Sequence, residues 1–434
     1  MIRLLTHILF LSLLVVFSSF TAHSKQILSP TPPQKVGISP DRLDQLNKSI
    51  EVHITENRIP GAVILIARNG KIAHLKAQGM IDVETEQPMM PDSIFRIYSM
   101  TKPIVSVAIM MLFEEGRLSL DDAVSQIIPE FKNLRAYVSG DHGTMITEKL
   151  ARPVTIHDLL THTSGLTYHF SGNTPVHQLY SAKGILPGVN ELSPFLKGGQ
   201  PVESLQKMVV ALETTPLLHQ PGTRFSYGVS TDILGYVVEK VSGQPLDVFL
   251  QSRLFGPLKM KDTGFWVPQN KLGRFAALYM QQENGAISQF STAEASRFTR
   301  RPSLLSGGGG LVSTAMDYVR FGQMMLNGGV LDEAQILSPK TIELMTQNHL
   351  PEGVTMFDRP GYGFGLGFSV ITDIAKTHNI GSTGTYSWNG AASTAFWIDP
   401  QEELVIVAMT QVISPWGNGF YDLLQRQVYQ TLVK

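Results

Sequence analysis

The 434-residue sequence predicts an α+β fold, in which both ends of the chain form one antiparallel sheet and a helical domain is inserted between them. Two observations support this prediction. Strand-like apolar runs occur near the start of the chain and return in its last third, whereas helical patterns fill the middle. Helices are also predicted close to both ends, where we expect them to flank the sheet.

The first 24 residues have the layout of a secretory signal peptide. Arg3 precedes an apolar stretch that runs from Leu4 to Phe20, and the small residues Ala22 and Ser24 follow. Such a signal would direct export to the periplasm or the medium. Cleavage after Ser24 would then leave no stable membrane span. An uncleaved membrane anchor is the alternative, because about 17 largely apolar residues are marginal for a span.

The next segments lead into the sheet. Residues 25–40 are rich in proline and predict an extended linker. Residues 41–56 have the apolar spacing of an amphipathic helix. An Asn-Gly pair between two apolar runs then predicts a β-hairpin, with strands near 61–68 and 71–79.

The remainder of the chain divides into a helical and a strand-rich part. Residues 99–306 have helical spacing broken by long loops and are assigned to the helical domain. Strand patterns return in "YGFGLGFSVIT", "WNGAASTAFWID" and "LVIVAMTQV", and a last amphipathic helix is predicted over 420–432. The sheet domain therefore combines residues 41–98 and 307–434, and we expect the active cleft between the two domains.

Composition excludes several classes of function. The formal net charge of −1 and the lack of a basic run argue against a nucleic-acid partner. The sequence contains no cysteine, which excludes a cysteine nucleophile and cysteine-ligated metals. It contains no His-Glu-x-x-His motif, and His157 and His162 are poorly spaced for ligands on one helix face. No metal or other cofactor is predicted, and His162 is expected to hydrogen-bond within its turn.

Two Ser-x-x-Lys matches are the candidate nucleophiles: Ser99 with Lys102, and Ser204 with Lys207. The second match belongs to an ordinary amphipathic surface helix, which predicts that Lys207 is solvated. The first match opens the segment 103–113, which is apolar on nearly every face. A helix that is apolar all round is buried, so only the first serine–lysine pair is expected in the protein interior.

The start of this buried helix decides what Ser99 can do. Pro103 is tolerated only in a first helical turn, so the helix must begin close to Ser99, and Gly116 ends it. Lys102 would then lie one turn after Ser99 on the same face. A serine hydroxyl becomes nucleophilic when a neighbouring base takes its proton, and burial favours the neutral form of a lysine. The alternative is that Lys102 pairs with a carboxylate and Ser99 only caps the helix.

Five segments in order resemble the serine β-lactamase superfamily, specifically class C β-lactamases and family VIII carboxylesterases. They are "FRIYSMTKPI", "DLLTHTSGL", "PGTRFSYGVSTDILGYVVEKVSG", "SGGGGLVSTAMDYVRF" and "WNGAASTAFWIDP". The resemblance covers the chain from about Gln34 to its C-terminus. It implies a β-lactamase/transpeptidase-like fold, with an antiparallel sheet flanked by terminal helices and an inserted helical domain.

The resemblance also implies roles for particular residues. Ser99 would be the acylated nucleophile, Lys102 its partner base, and Tyr227 a proton shuttle towards the leaving group. The backbone N–H groups of Ser99 and Ala391 would form the oxyanion hole. The substrate-binding strand, often Lys-Thr-Gly in relatives, would be formed by Trp388, Asn389 and Gly390. Without the other segments, Tyr227 could equally be a half-buried core tyrosine.

Two departures from the family pattern bear on the substrate. Trp388 stands where relatives carry the lysine that helps to bind a β-lactam carboxylate, and Gly228-Val229 follows Tyr227 where class C enzymes usually have Tyr-x-Asn. The sequence therefore predicts a serine hydrolase that cleaves carboxylic esters through an acyl-enzyme, with at most weak β-lactam turnover. The alternatives are a class C-like β-lactamase or D-Ala-D-Ala carboxypeptidase, and a non-catalytic cell-wall binding protein. The expected partner is a small-molecule ester or amide.

Overall fold

The computed structural model describes residues 28–141, 143–186, 200–414 and 419–433. The predicted signal peptide, residues 1–24, lies outside these ranges. Within them, no helix combines the length and the apolar character that a bilayer crossing requires.

The helices of the described ranges are concentrated in the middle of the chain. They are α1 (Pro40–Thr55), α2 (Thr101–Glu114), α3 (Val124–Ile127), α4 (Ile156–Leu160), α5 (Pro175–Ala182), α6 (Leu205–Glu213), α7 (Ser230–Ser242), α8 (Leu246–Leu250), α9 (Ala315–Leu326), α10 (Pro339–Met345), α11 (Ile374–Thr377) and α12 (Phe420–Tyr429). The strands are β1 (Ser29–Pro30), β2 (Gly61–Arg68), β3 (Lys71–Asp82), β4 (Gln87–Pro88), β5 (Phe95–Arg96), β6 (Arg135–Ser139), β7 (Ile146–Lys149), β8 (Leu278–Gln281), β9 (Ile287–Ser291), β10 (Val312–Ser313), β11 (Val330–Leu331), β12 (Ala334–Gln335), β13 (Tyr362–Phe364), β14 (Ser369–Ile371), β15 (Tyr386–Asn389), β16 (Ala395–Asp399), β17 (Leu404–Met409) and β18 (Val412–Ile413).

The main sheet joins the two ends of the chain, as predicted. Its strand order is β1-β3-β2-β17-β16-β15-β14-β13, with β4 paired to β3. The centre is the antiparallel pair β2 and β17, in which Arg68 lies opposite Leu404. The short strand β1 pairs with β3 in parallel, and the other pairs in this sheet are antiparallel. This confirms the predicted α+β fold with one sheet built from both ends.

Both faces of the sheet are buried, which explains why β2 is an unbroken apolar run. Along β2, Val63 and Leu65 face one core, whereas Ile64 and Ile66 face the other, because successive side chains of a strand alternate. The second face is covered by α1 and α12, whose apolar side chains join that core. The first face packs against α9 and is continuous with the helical region. The terminal helices therefore flank the sheet as expected.

Helix α2 is the buried helix that the sequence predicts. Every residue from Thr101 to Leu112 is buried, and α2 packs against α7. A 3₁₀ turn, Tyr98–Met100, precedes it, and Gly116 follows its end with a φ of 67°, a left-handed conformation that suits glycine. The helix therefore begins two residues after Ser99, close to the position that Pro103 requires.

Several local predictions are wrong in instructive ways. The region predicted as helical contains the hairpin β6–β7 and also β8 and β9, of which β8 pairs with the C-terminal strand β18. Two segments predicted as single strands are hairpins, β13–β14 and β15–β16. In the first, Gly367 has a φ of 95°, and in the second, Ser393 has a φ of 61°. Such left-handed residues reverse the chain, and strand periodicity alone does not reveal them.

The predicted linker packs against the sheet over its described residues. Ser29–Pro30 pairs with Lys71 and Ile72, and Ile38 has none of its surface exposed. The prediction of an extended linker rested on the proline content, and Ile38 supplies the apolar contact that holds the segment in place.

The last helix also ends at Tyr429, three residues before its predicted end.

Candidate active site

The backbone around Ser99 is held in an unusual conformation. Tyr98, the residue before it, has a φ of 40°, which is uncommon for a non-glycine residue. The turn is fixed from outside, because the hydroxyl of Tyr318 donates to the carbonyl of Met100 at 2.8 Å. Backbone conformations of this kind persist only where the surroundings enforce them, and they cluster at functional sites.

The structure brings the three predicted catalytic side chains together. Lys102 Nζ donates to Ser99 Oγ at 3.1 Å, and the hydroxyl of Tyr227 donates to the same Oγ at 2.8 Å. Lys102 is only 1% exposed, and its Nζ also donates to the carbonyl of Gly308 at 2.7 Å. The same Nζ lies 4.5 Å from the centre of the Tyr227 ring. Ser99 therefore faces an amine and a phenol in a partly buried cluster, the arrangement that activates a serine hydroxyl.

Tyr227 reaches this cluster from the loop before α7, as predicted. The loop lies directly against the end of the "DLLTHTSGL" segment, because a Cβ at Gly228 would be 2.7 Å from the carbonyl oxygen of Leu166. The N–H of Ser226 donates to the carbonyl of His162 at 2.8 Å. These close backbone contacts fix the position of the phenol, and they require glycine after Tyr227.

His162 contributes its ring rather than a side-chain hydrogen bond. Its Nδ1 is buried without a hydrogen-bond partner among the described residues, so the prediction that the side chain bonds within its turn is not supported for this nitrogen. The ring centroid lies 4.9 Å from that of Tyr227. Burial lowers the pKa of His162 well below its usual value, and the nearby charge of Lys102 lowers it further. The imidazole is therefore a neutral packing partner of the Tyr227 phenol.

Asp232, on the first turn of α7, is a site residue that the sequence prediction missed. Its Oδ1 accepts hydrogen bonds from Ser306 Oγ at 2.6 Å and from the N–H of Gly308 at 3.1 Å. Burial raises the pKa of Asp232, while the hydrogen bond from Ser306 and the charge of Lys102 oppose that shift. Asp232 thus fixes the loop whose carbonyl receives Lys102. The sequence feature that could have identified Asp232 is an acidic residue in the first turn of a buried helix.

The turn after β15 lies beside the segment that carries Ser99. The N–H of Gly390 donates to the carbonyl of Thr394 at 2.7 Å, and a Cβ at Gly390 would lie only 2.4 Å from the carbonyl oxygen of Ile97. Ala391 and Ser99 line the same cavity. The placement is compatible with the predicted oxyanion hole formed by their N–H groups, whose role stays a prediction.

A cavity of about 910 Å³ opens in front of Ser99. The predicted substrate-binding residues all line it: Trp388, Asn389 and Gly390. Other lining residues that the sequence did not single out are Tyr168, Phe170, Phe357, Arg359, Tyr362 and Tyr421. The volume is typical of a pocket for a drug-sized ligand, and its walls are largely aromatic. Among the described residues, no cluster of three His, Asp or Glu side chains could hold a metal ion.

The second Ser-x-x-Lys match has a structural role. Ser204 is the N-cap of α6, where its side chain accepts from the N–H of Lys207 at 3.1 Å. The Lys207 side chain is 62% exposed, and its amine pairs with Glu203 on the surface. The prediction that Lys207 is solvated is confirmed.

The fold and the serine-centred cavity together define a serine hydrolase with the β-lactamase/transpeptidase architecture. The sequence profile of the Beta-lactamase family matches residues 44–427, and the chain belongs to that family.

Comparison with individual proteins supports this assignment. The chain is 31% identical over 394 residues to esterase EstB of Burkholderia gladioli. This match covers 86% of this chain and 92% of the relative. It is 27% identical over 427 residues to a putative D-alanyl-D-alanine carboxypeptidase of Escherichia coli. That match covers 93% of this chain and 89% of the relative. The solved structure of EstCE1, a hydrolase with promiscuous acyltransferase activity, matches with a TM-score of 0.75 at 27% identity, covering 89% of this chain and 98% of the other.

Proposed function

We propose that this protein hydrolyses carboxylic esters through an acyl-enzyme on Ser99, with Lys102 and Tyr227 moving the proton. One observation carries the proposal: Ser99 Oγ lies 3.1 Å from an amine and 2.8 Å from a phenol. Both distances are within the reach that general acid–base catalysis requires. Because Lys102 is buried and Tyr227 is held by packed loops, the pair needs no rearrangement before the reaction.

The proposed reaction has two balanced halves. In the first, Ser99 Oγ bonds to the ester carbonyl carbon and gives its proton to the Lys102–Tyr227 pair, one member of which must be deprotonated. The negative oxygen that forms would be stabilised by the N–H groups of Ser99 and Ala391. The carbon–oxygen bond to the alcohol then breaks, and the alcohol takes the proton from Tyr227. In the second half, water attacks the acyl carbon, its proton enters the same pair, and Ser99 is released with its hydroxyl restored.

Two features favour an ester over a lactam. Trp388 is 7% exposed and lies 5.5 Å from the Tyr227 ring, so this part of the cavity wall is aromatic where relatives carry a cationic lysine. Val229 stands where class C enzymes have the asparagine of Tyr-x-Asn, and its apolar side chain is fully buried in the core, so it cannot contact a substrate amide. The relative from Burkholderia gladioli, 31% identical, is also named an esterase.

The D-alanyl-D-alanine carboxypeptidase name of the Escherichia coli relative supports a second candidate, a peptidase or β-lactamase that uses the same serine. Parallel assays with a p-nitrophenyl ester, nitrocefin and a peptide ending in D-Ala-D-Ala separate the candidates. We expect the ester to have the largest kcat/KM. Faster turnover of nitrocefin or of the peptide would move the assignment to the second candidate.

Hydrolysis of p-nitrophenyl butyrate tests the role of Ser99. Ser99→Ala should abolish turnover, because it removes the only atom proposed to carry the acyl group. Ser204→Ala is the matched control, since Ser204 caps a surface helix, and it should retain activity. Full activity of Ser99→Ala would overturn the proposal. Stoichiometric labelling of Ser99 by a fluorophosphonate without any turnover would instead indicate a non-catalytic binding protein.

We also propose that the protein is exported, on the basis of the signal-peptide pattern in residues 1–24. Expression of the full chain followed by cell fractionation and N-terminal sequencing provides the test. A mature protein that begins at Lys25 in the periplasm or medium is expected. An unprocessed chain that stays with the membrane fraction would favour the anchor.

A further inference from the structure

Two charged side chains line the active-site cavity within the described ranges, Arg359 and Asp422. The guanidinium of Arg359 lies 4.3 Å from the centre of the Tyr362 ring, which lines the same cavity. Among the described residues, no carboxylate lies within the 4.0 Å that defines an ion pair with this guanidinium. Its hydrogen-bond donors are thus held on an aromatic face, and no described carboxylate is paired with them.

The segment that carries Arg359 is built into the site by its backbone. Phe357 and Asp358, the two preceding residues, have φ values of 52° and 55°, so two consecutive non-glycine residues are left-handed. This bend places the Phe357 ring 5.7 Å from that of Tyr227, and Phe357 lines the cavity as well. Strain of this kind is maintained where the surroundings enforce it, and here it presents Arg359 beside an aromatic wall.

Asp422 has a structural explanation that Arg359 lacks. It lies in the first turn of α12, where a carboxylate is favoured by the N-terminal end of the helix. Both charges act on Tyr421, another lining residue. Burial raises the pKa of Tyr421 to about 12, and Asp422 adds to the shift whereas Arg359 opposes it. Arg359 therefore lies within electrostatic reach of the cavity wall, and no carboxylate of the described residues forms an ion pair with it.

We propose that Arg359 binds a carboxylate on the ester substrate, so that the preferred substrates are esters that carry a remote carboxylate. This inference rests on the proposed esterase function. A planar guanidinium matches the geometry of a carboxylate and is held ready by the Tyr362 ring. Arg359 leads into β13, which is two strands from β15, or about 10 Å across the sheet. An extended chain must therefore separate the carboxylate from the ester bond.

The test compares substrates that differ only in this charge. For a carboxylate on the acyl part, p-nitrophenyl hydrogen suberate is compared with p-nitrophenyl octanoate. For a carboxylate on the alcohol part, 6-acetoxyhexanoate is compared with hexyl acetate in a pH-stat. In one of the two pairs, the wild type should prefer the anionic ester, and Arg359→Ala should lower that preference about tenfold, the effect of losing one charge-assisted contact.

Further variants make the result specific. Arg359→Lys should keep part of the preference, and Asp422→Asn should increase it because a repelling charge is removed. Arg58→Ala is the matched control, because Arg58 is an exposed arginine outside the cavity whose charge pairs with Glu56. High salt should weaken the preference, since an exposed ion pair is screened. An unchanged preference in Arg359→Ala for both pairs would overturn the inference.

The outcome is separable from that of the esterase proposal. If the wild type hydrolyses the neutral esters and Ser99→Ala does not, while Arg359→Ala leaves both preferences unchanged, only the carboxylate site fails. If no ester is hydrolysed, calorimetric binding of suberic acid monoamide still tests Arg359. Weaker binding by Arg359→Ala than by the wild type would support the site, and equal binding would refute it.

Discussion

Gly390→Ala should impair catalysis by separating two backbone segments that meet at the active site. A Cβ at position 390 would lie 2.4 Å from the carbonyl oxygen of Ile97, and Cβ atoms essentially never approach closer than 3.0 Å. The two segments must therefore separate by at least 0.6 Å, the difference between these distances. The same Cβ would lie 2.2 Å from Thr394 Oγ1, a side chain that is itself buried.

This displacement falls between the two N–H groups proposed to bind the oxyanion. Ile97 lies two residues before Ser99, and Ala391 follows Gly390 directly. A misplacement of about 1 Å at reacting groups can lower a rate by about 100-fold, or about 2.7 kcal/mol of transition-state stabilisation. We therefore expect kcat/KM for p-nitrophenyl butyrate to fall about 100-fold.

Thermal unfolding must be measured beside the kinetics, because a steric clash also lowers stability. Gly273→Ala is the control, since a Cβ there meets no atom within 4 Å. It should keep both activity and Tm. If folded Gly390→Ala retains activity within twofold of the wild type, the proposed contribution of this turn to oxyanion binding is wrong.

Three further predictions follow from contacts within the structure. Tyr227→Phe removes the hydroxyl that lies 2.8 Å from Ser99 Oγ, so kcat should fall about 10³-fold with little change in KM in ester hydrolysis. Lys102→Met should lower kcat by a similar factor. The double variant should lose little more activity than the less active single variant, because the effects of groups that act as a unit are not additive. Fully additive losses would contradict the proposal that Lys102 and Tyr227 act as a pair. Burial lowers the pKa of His74 to about 4 from 6.5. Between these values the unfolded chain binds a proton that the folded chain does not, so stability falls on acidification. His74 should contribute a loss of about 3 kcal/mol between pH 6.5 and 4 in denaturant titrations, on top of the losses from other buried histidines such as His162. His74→Gln should lack this loss, whereas His378→Asn at an exposed position should retain it.

The sequence by itself determined the features that depend on neighbours in the chain. The apolar run after Pro103 predicted a buried helix beginning near Ser99, and the structure has that helix from Thr101. Spacing of three residues then placed Lys102 beside Ser99, because residues three or four apart share a helix face. The apolar runs at both ends of the chain predicted the sheet, since continuous burial on both faces leaves that pattern.

Only the tertiary structure decided which distant groups meet. Tyr227 is 128 residues from Ser99, and its place in the cluster was expected from family resemblance rather than from any local pattern. Asp232 and Arg359 carry no periodic signal, because a single buried carboxylate or a cavity-lining guanidinium is identified by its surroundings. The hairpin turns in the strand-rich third were missed for a related reason. Left-handed residues such as Ser393 are enforced by long-range packing, whereas periodicity records only the faces of regular elements.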